Sequence, residues 1–383
     1  MTALDRAASS PLRRALSANV ERLDGSARAG GVDLARGLAV LGMLAAHLLS
    51  IPELEAGDPS TWGGIVDGRS SILFATLAGV SLGLATGGRA PRTGPALRVA
   101  RLRLAVRAGA LWVLGVALIL TGVPVYVILP AYAILFLLAI PFLRLRAPVL
   151  LTVAAASAVG LPFLQPLLES APAWSTPAGG WVSLLLGWHY PFTVWAAFVL
   201  AGLGVARAGI GRLSVQLAML VAGAVLAAVG YGTAVVLAVP EPVSAVVPAL
   251  VRTPGEEYAA AVWTAEPHSS GLLEVIGSGG FALAVIGLCL LICRTGVRTI
   301  LLPLRAVGAM PLTAYTAQLV VWAVWAGNAL GDTGDLSGFR QLDPFPVITL
   351  ATVLGCTLWA LLIGRGPLEW VLDRLARLVP SRG

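Results

Sequence analysis

The sequence predicts an all-α, polytopic integral membrane protein of about ten transmembrane helices, with both termini cytoplasmic. Three observations carry that prediction. Charged side chains make up 12% of the 383 residues and hydrophobic ones 57%, where a soluble domain is roughly one quarter charged. The mean hydropathy of +0.87 leaves too little polar surface to cover a globule in water. Apolar runs near the ~20 residues that cross a bilayer as helix recur along the chain. A soluble enzyme and a disordered chain are both excluded.

The runs are 34–52, 71–87, 104–122, 125–143, 147–164, 190–208, 213–238, 272–293, 306–327 and 344–363. Only Gly122, Val123 and Pro124 separate the third from the fourth, which predicts a tight helical hairpin. Arginine sets the orientation. All 26 basic residues are arginine, and with the N-terminus inside, 23 of them fall on inner segments, leaving Arg69, Arg252 and Arg340 outside. The acids run the opposite way, 13 of 19 lying in outer loops or at outer helix ends. The net charge of +7 is therefore a topological signal. Nucleic-acid binding needs a continuous basic surface, so no nucleic acid is expected as a partner. The arrangement is that of a multi-pass protein of the inner (plasma) membrane, with membrane lipid around it.

Residues 1–31, rich in Ala, Arg and Ser, read as a disordered cytoplasmic tail without the apolar core of a signal peptide. The first apolar run then serves as an uncleaved anchor. Residues 32–365 form the membrane domain. In 366–383, Pro367 opens a cytoplasmic helix with Leu368, Val371, Leu372, Leu375 and Leu378 on one side and Glu369, Asp373, Arg374 and Arg377 on the other. That pattern is amphipathic and suits the inner membrane surface. Outer segments 53–70, 165–189 and 239–271 are long enough to roof a cavity. Cys289, Cys293 and Cys356 lie inside apolar runs and read as core packing; no metal-ligand spacing is present, and no metal is predicted.

Ionisable groups within a span are costly and mark candidate sites. Asp33 and Arg36 are three apart, within pairing distance on one helical turn. Arg36 and His47 share a face of the same helix, about 16 Å apart. A neutral His47 imidazole there can take a proton from an alcohol or amine as a general base; the competing reading is a polar packing contact. His268, after Glu266-Pro267, is a second candidate or a helix cap, and Glu274 is a buried acid or an outer-interface residue. His189 sits in an aromatic interface sequence, Trp188-His189-Tyr190. Asp67 and Arg69 open the second span as a cap and ion pair, or bind an acceptor. Tyr315 and Gln318 share a helix face after Pro311, to line a cavity or to bond between helices. Gly277-Ser-Gly279-Gly280 falls within a span and reads as close helix packing. Arg98, Arg101 and Arg103, at the start of the third span, suit the phosphates of a nucleotide-type donor, with lipid headgroups as the alternative.

The segments "GVDLARGLAVLGMLAAHLL" and "WGGIVDGRSSILFATLAGVSLGL" resemble the opening of heparan-alpha-glucosaminide N-acetyltransferase-like bacterial membrane proteins. "EPHSSGLLEVIGSGGFALAVIGLCLLI" and "VGAMPLTAYTAQLVVW" are similar to later helices of the related YeiB-like group. Arg36 followed by His47, with Arg98 and Arg101, also resembles the acyltransferase-three family. The resemblance makes 32–365 a transmembrane acyltransferase-like domain. It implies that an acyl group, acetyl foremost, moves from cytosolic acyl-coenzyme A to a hydroxyl or amine of an extracytoplasmic glycan or glycolipid. It also places a catalytic histidine in the first outer loop, before the tryptophan of the second span. Here Pro59 to Trp62 stand in that region and no histidine lies between 48 and 188, so the role passes to His47 or His268. The alternative is a transporter or lipid flippase whose polar residues line a path.

Overall fold

Apolar periodicity alone does not set where each helix starts and stops; prolines and glycines do. The computed structural model describes residues 11–25, 28–52, 54, 57–237 and 253–380. All ten apolar runs fold as helix, and no strand is present among the described residues. The helices are α1 (Pro11–Asp24), α2 (Gly30–Leu48), α3 (Arg69–Ala85), α4 (Gly94–Ile119), α5 (Leu129–Ala139) and α6 (Ala147–Glu169). They continue as α7 (Pro177–Leu186), α8 (Phe192–Ala208), α9 (Leu213–Leu237), α10 (Pro254–Trp263), α11 (Leu272–Ile292) and α12 (Val297–Ile300). The chain ends with α13 (Leu302–Ala309), α14 (Pro311–Leu330), α15 (Leu336–Gln341), α16 (Pro344–Leu362) and α17 (Pro367–Arg377).

Seven of these are long and apolar enough to cross a membrane, or eight if the bent pair α13–α14 counts as one span. The ten expected runs are thus not ten full spans. The run at 306–327 is broken by 87° where Pro311 lacks an N–H to continue the ladder. The 125–143 run becomes α5, which stops just before Pro141, and a 3-10 turn over Ile140–Arg144, and the 190–208 run is α8, held between Pro191 and the left-handed Gly209. Both are shorter than a full span. In the third outer segment, residues 239–252 lie outside the described residues.

The core is built by close approach of small residues, as membrane helices require. Gly37 on α2 meets the Leu304 carbonyl of α13, and Gly308 of α13 meets the Asp33 carbonyl. Gly277 and Gly280 bring α11 against α9 at Gly230 and Gly223, which is the packing role the glycine cluster suggests. Outward faces stay apolar: Val221, Val225 and Val229 on α9 and Leu350, Leu354 and Leu358 on α16 are all exposed, as lipid-facing surfaces are.

Residues 11–24, which composition alone assigns to a disordered tail, form α1. The reason is tertiary. Leu23 is buried, Asn19 donates to the Leu361 carbonyl at 2.9 Å, and the buried Arg305 holds Asp24 at 2.7 Å. The terminal amphipathic helix forms as α17, starting at Pro367. It is fastened by Glu369, whose carboxylate accepts from the first-turn N–H groups of α14 at Leu312 (2.8 Å) and Thr313 (3.1 Å). These are donors that every helix N-terminus leaves unpaired.

Candidate active site

One end of the bundle is closed by arginine. Arg207, buried at the end of α8, donates to the carbonyls of Gly83, Gly88 and Leu143 at 2.9, 2.7 and 2.8 Å and so ties the end of α3 and the 3-10 turn after α5 to α8. Beside this end lies a cavity of about 490 Å³. Its wall carries five guanidinium groups, from Arg22, Arg28, Arg36, Arg107 and Arg365, against two carboxylates, Glu369 and Asp373. Buried Asp33 fixes two of the five: Arg36 donates to it at 3.0 Å, and Arg28 pairs with its other oxygen. The second Arg36 nitrogen reaches Ser81 at 2.6 Å. Asp373 of α17 accepts from Arg365 at 2.8 Å and from Arg107 at 3.3 Å. Positive charge remains in excess, in the planar fork geometry that suits phosphate. Away from the arginines the wall turns apolar, through Phe74, Leu77, Leu111, Leu129 and Phe136, and Tyr132 and Tyr315 face it there.

The opposite end holds the titratable groups. Asp67 precedes α3 and His268 precedes α11, and the two loops bring His268 Nε2 to 3.4 Å from Asp67 Oδ1. Glu274, in the first turn of α11 and 2% exposed, accepts from the backbone N–H of His268 and of Ser270 at 2.6 Å each, and from the Ser269 hydroxyl at 3.1 Å. This carboxylate holds a strained turn, since His268 and Ser270 have φ of 66° and 56°. Non-glycine residues seldom adopt such values, which cluster at functional sites. The His268 side chain is 42% exposed, so a molecule in solution reaches it. Desolvation lowers its proton affinity, but the Asp67 hydrogen bond and the Glu274 charge outweigh it, and the pKa is raised above the ordinary histidine value.

His47 ends α2 at this same side, within electrostatic reach of His268, Asp67 and Arg340. Its carbonyl accepts from Arg340 Nε at 3.2 Å and Nη2 at 2.8 Å. A second cavity, of about 600 Å³, is lined by Ala46, Leu49, Ser50, Asp67 and Arg340.

The sequence-selected residues therefore divide between two places. Asp33 and Arg36 stand at the arginine cavity, together with Tyr315, while His47, Asp67, His268 and Glu274 gather at the far end. Arg69 is committed to structure: it donates to the Tyr231 hydroxyl at 2.8 Å and to the Gly64 carbonyl at 3.1 Å, with its guanidinium 4.6 Å above the Tyr231 ring. Gln318 is buried away from the cavity and donates to Thr352 at 3.3 Å. His189 stacks on Tyr126 with ring centroids 3.3 Å apart.

Arg98, Arg101 and Arg103 do not line the cavity. Helix α4 begins at Gly94, ten residues before the apolar run at 104, and its first turns bury Leu97 and Ala100 away from the cavity. Arg98 is exposed there, and Arg103 reaches the Val379 carbonyl at 3.4 Å. Arg107, one turn further, is the member that enters the wall. Sequence reasoning passed over it, although an arginine inside the third apolar run was itself the signal. It likewise missed Tyr132 and Arg340, the latter marked by standing on the acid-rich side. Nothing local marks Arg22, Arg28 and Arg365 among so many inner arginines.

Residues 28–236 match the family model for the heparan-alpha-glucosaminide N-acetyltransferase catalytic domain, more than half of the chain. The chain belongs to that family. Membership points to a membrane acetyltransferase, a transferase of multi-pass form, and the matched span contains Arg36, His47, Asp67, Arg107 and Tyr132. Residues 247–378, which hold His268, Glu274, Tyr315 and α17, match a second model, described as a protein of unknown function, DUF418. No curated protein and no solved structure matches the chain. The Asp67–His268 pair thus joins one residue from each matched region.

Proposed function

We propose that this protein transfers an acetyl group from acetyl-coenzyme A, bound at the arginine cavity on the cytoplasmic side, to a hydroxyl or amine of a glycan or glycolipid beyond the membrane. The observation that carries this reading is a division of chemistry along one bundle. A phosphate-suited cluster of five arginines opens into an apolar cavity, and an exposed His–Asp pair stands at the other end. Arg22, Arg28, Arg36, Arg107 and Arg365 hold the donor phosphates, and the narrow arm carrying the thioester extends along Phe136, Leu111 and Leu129. The acceptor enters through the cavity at Asp67 and Arg340.

His268 acts as the base. The acceptor nitrogen or oxygen forms a bond to the thioester carbonyl carbon, its proton passes to His268, and the carbon–sulfur bond breaks. Coenzyme A leaves as the thiolate and takes up a proton. Asp67 orients the imidazole and stabilises its charged form, in the way a carboxylate partner does in other acyl-transfer sites. General-base catalysis of this kind contributes about 10²–10⁴ in rate. His47 lies close enough to bias the same proton but has no carboxylate at bonding distance among the described residues.

The test is purified protein in lipid discs with acetyl-coenzyme A labelled in the acetyl group and a panel of amino sugars and glycolipids. Label on the acceptor with one free thiol released per transfer is expected. Binding of an amphiphile without thiol release would replace the enzyme reading with that of a transporter.

A further inference from the structure

Tyr132 lies on α5, where its ring is held between Phe74 of α3 at 5.5 Å and Phe136 at 6.2 Å between centroids. The residue is 3% exposed, and its hydroxyl has no hydrogen-bond partner among the described residues. A buried tyrosine hydroxyl normally finds a partner, and one left bare is destabilising. Phenylalanine would fill the same slot between Phe74 and Phe136 without that cost. The hydroxyl is thus unexplained by packing.

Its surroundings supply a use. The ring forms part of the arginine cavity's wall at the level where Leu129, Leu111 and Phe74 make that wall apolar, and Tyr315 is the other phenol there. The Tyr315 hydroxyl accepts from the Ile128 N–H at 3.4 Å. Tyr190, whose ring is 6.2 Å from that of His268, lies within electrostatic reach of Tyr132. Its own hydroxyl is committed to the Tyr126 carbonyl at 2.9 Å. Tyr132 therefore lines the donor cavity with an unpaired O–H, and the tyrosine within its electrostatic reach, Tyr190, is a neighbour of the histidine. A group arriving there from the arginine end must be narrow, and it must bring an acceptor oxygen to satisfy that donor.

We propose that the Tyr132 hydroxyl donates a hydrogen bond to the carbonyl oxygen of the acyl thioester and stabilises the negative charge that develops on it during transfer. This assignment rests on the acetyl-coenzyme A reading above. The phenol keeps its proton throughout; the acceptor proton still goes to His268 and the sulfur still leaves. A donor aimed at a developing oxyanion in a dry site is worth about 10²–10³ in turnover. It also favours the thioester over the free thiol, which has no carbonyl to accept.

Tyr132→Phe separates this role from a structural one. The variant should keep the wild-type melting temperature or exceed it, because it removes an unpaired polar group. It should bind free coenzyme A as wild type does, lose the preference for acetyl-coenzyme A over coenzyme A, and lose about 10²–10³ in kcat. Turnover within twofold of wild type, or a lowered melting temperature with full activity per folded molecule, would overturn the assignment while leaving the transferase reading intact. A wild-type protein that binds no acetyl-coenzyme A would overturn both.

Discussion

The two ends of this bundle use charge differently. The arginine end employs groups that stay charged at any physiological pH, five of them around a cavity, steadied by Asp33 and Asp373. The histidine end employs groups that exchange protons, His268 and Asp67, held by a buried carboxylate that orders the backbone. Fixed charge suits binding, since it recognises an anion without being changed by it. Titratable charge suits catalysis, since a proton must be taken and released in each cycle. On the proposed reading, the first end selects and holds an incoming molecule and the second reacts with it.

Four substitutions test whether the two ends act separately. The largest effect is expected from His268→Ala, which should lower kcat by about 10²–10⁴ with donor affinity unchanged, measured as thiol release beside acetyl-coenzyme A binding. A proportional loss of donor binding would merge the two ends into one site. Arg36→Gln should do the reverse. One charge-assisted contact of about 1.5–3 kcal/mol raises the donor Kd by roughly 10- to 150-fold, while kcat at saturating donor stays near wild type. Arg28 remains to pair with Asp33, so folding should survive.

Asp67→Asn tests the proton-transfer end by pH. Asp67 raises the His268 pKa, and a base must be neutral to act, so in wild type the rate climbs through a pKa above the ordinary histidine value of about 6.5. Removing the carboxylate lets desolvation lower that pKa. The acid limb of the pH–rate profile should shift toward lower pH, with a smaller maximum because the imidazolium formed in transfer loses its partner. An unmoved limb would assign the titration to another group, His47 first. The smallest effect is expected from Arg98→Gln. Its side chain is exposed and outside the cavity, so donor Kd should change by less than about twofold. A larger change would extend the donor site beyond the cavity wall.

The candidate site was half legible in the sequence. Asp33, Arg36, His47, Asp67, His268, Glu274 and Tyr315 were selected because polar groups beside apolar runs are costly and need a reason. The choice among arginines failed because linear density misled. Arg98, Arg101 and Arg103 form the tightest cluster, yet α4 starts early enough to leave them outside the wall and to place Arg107 in it. Tyr132 was passed over because a tyrosine in an apolar run resembles any core aromatic until its hydroxyl is found without a partner.

Legible along the chain were the all-helical membrane class, the arginine-rich side and the start of the amphipathic helix at Pro367. Each is a local or compositional property: hydropathy over a span, charge between spans, and a missing backbone donor at proline. Tertiary structure decided that residues 11–24 are helical and which arginines share a cavity. It also decided that Asp67 meets His268, two hundred residues apart in sequence but 3.4 Å apart in space. The physical reason is that these properties depend on contacts between helices. Packing of Gly37 on Leu304, or Gly230 on Gly277, fixes the register of one helix against another, and no window along the chain contains both partners.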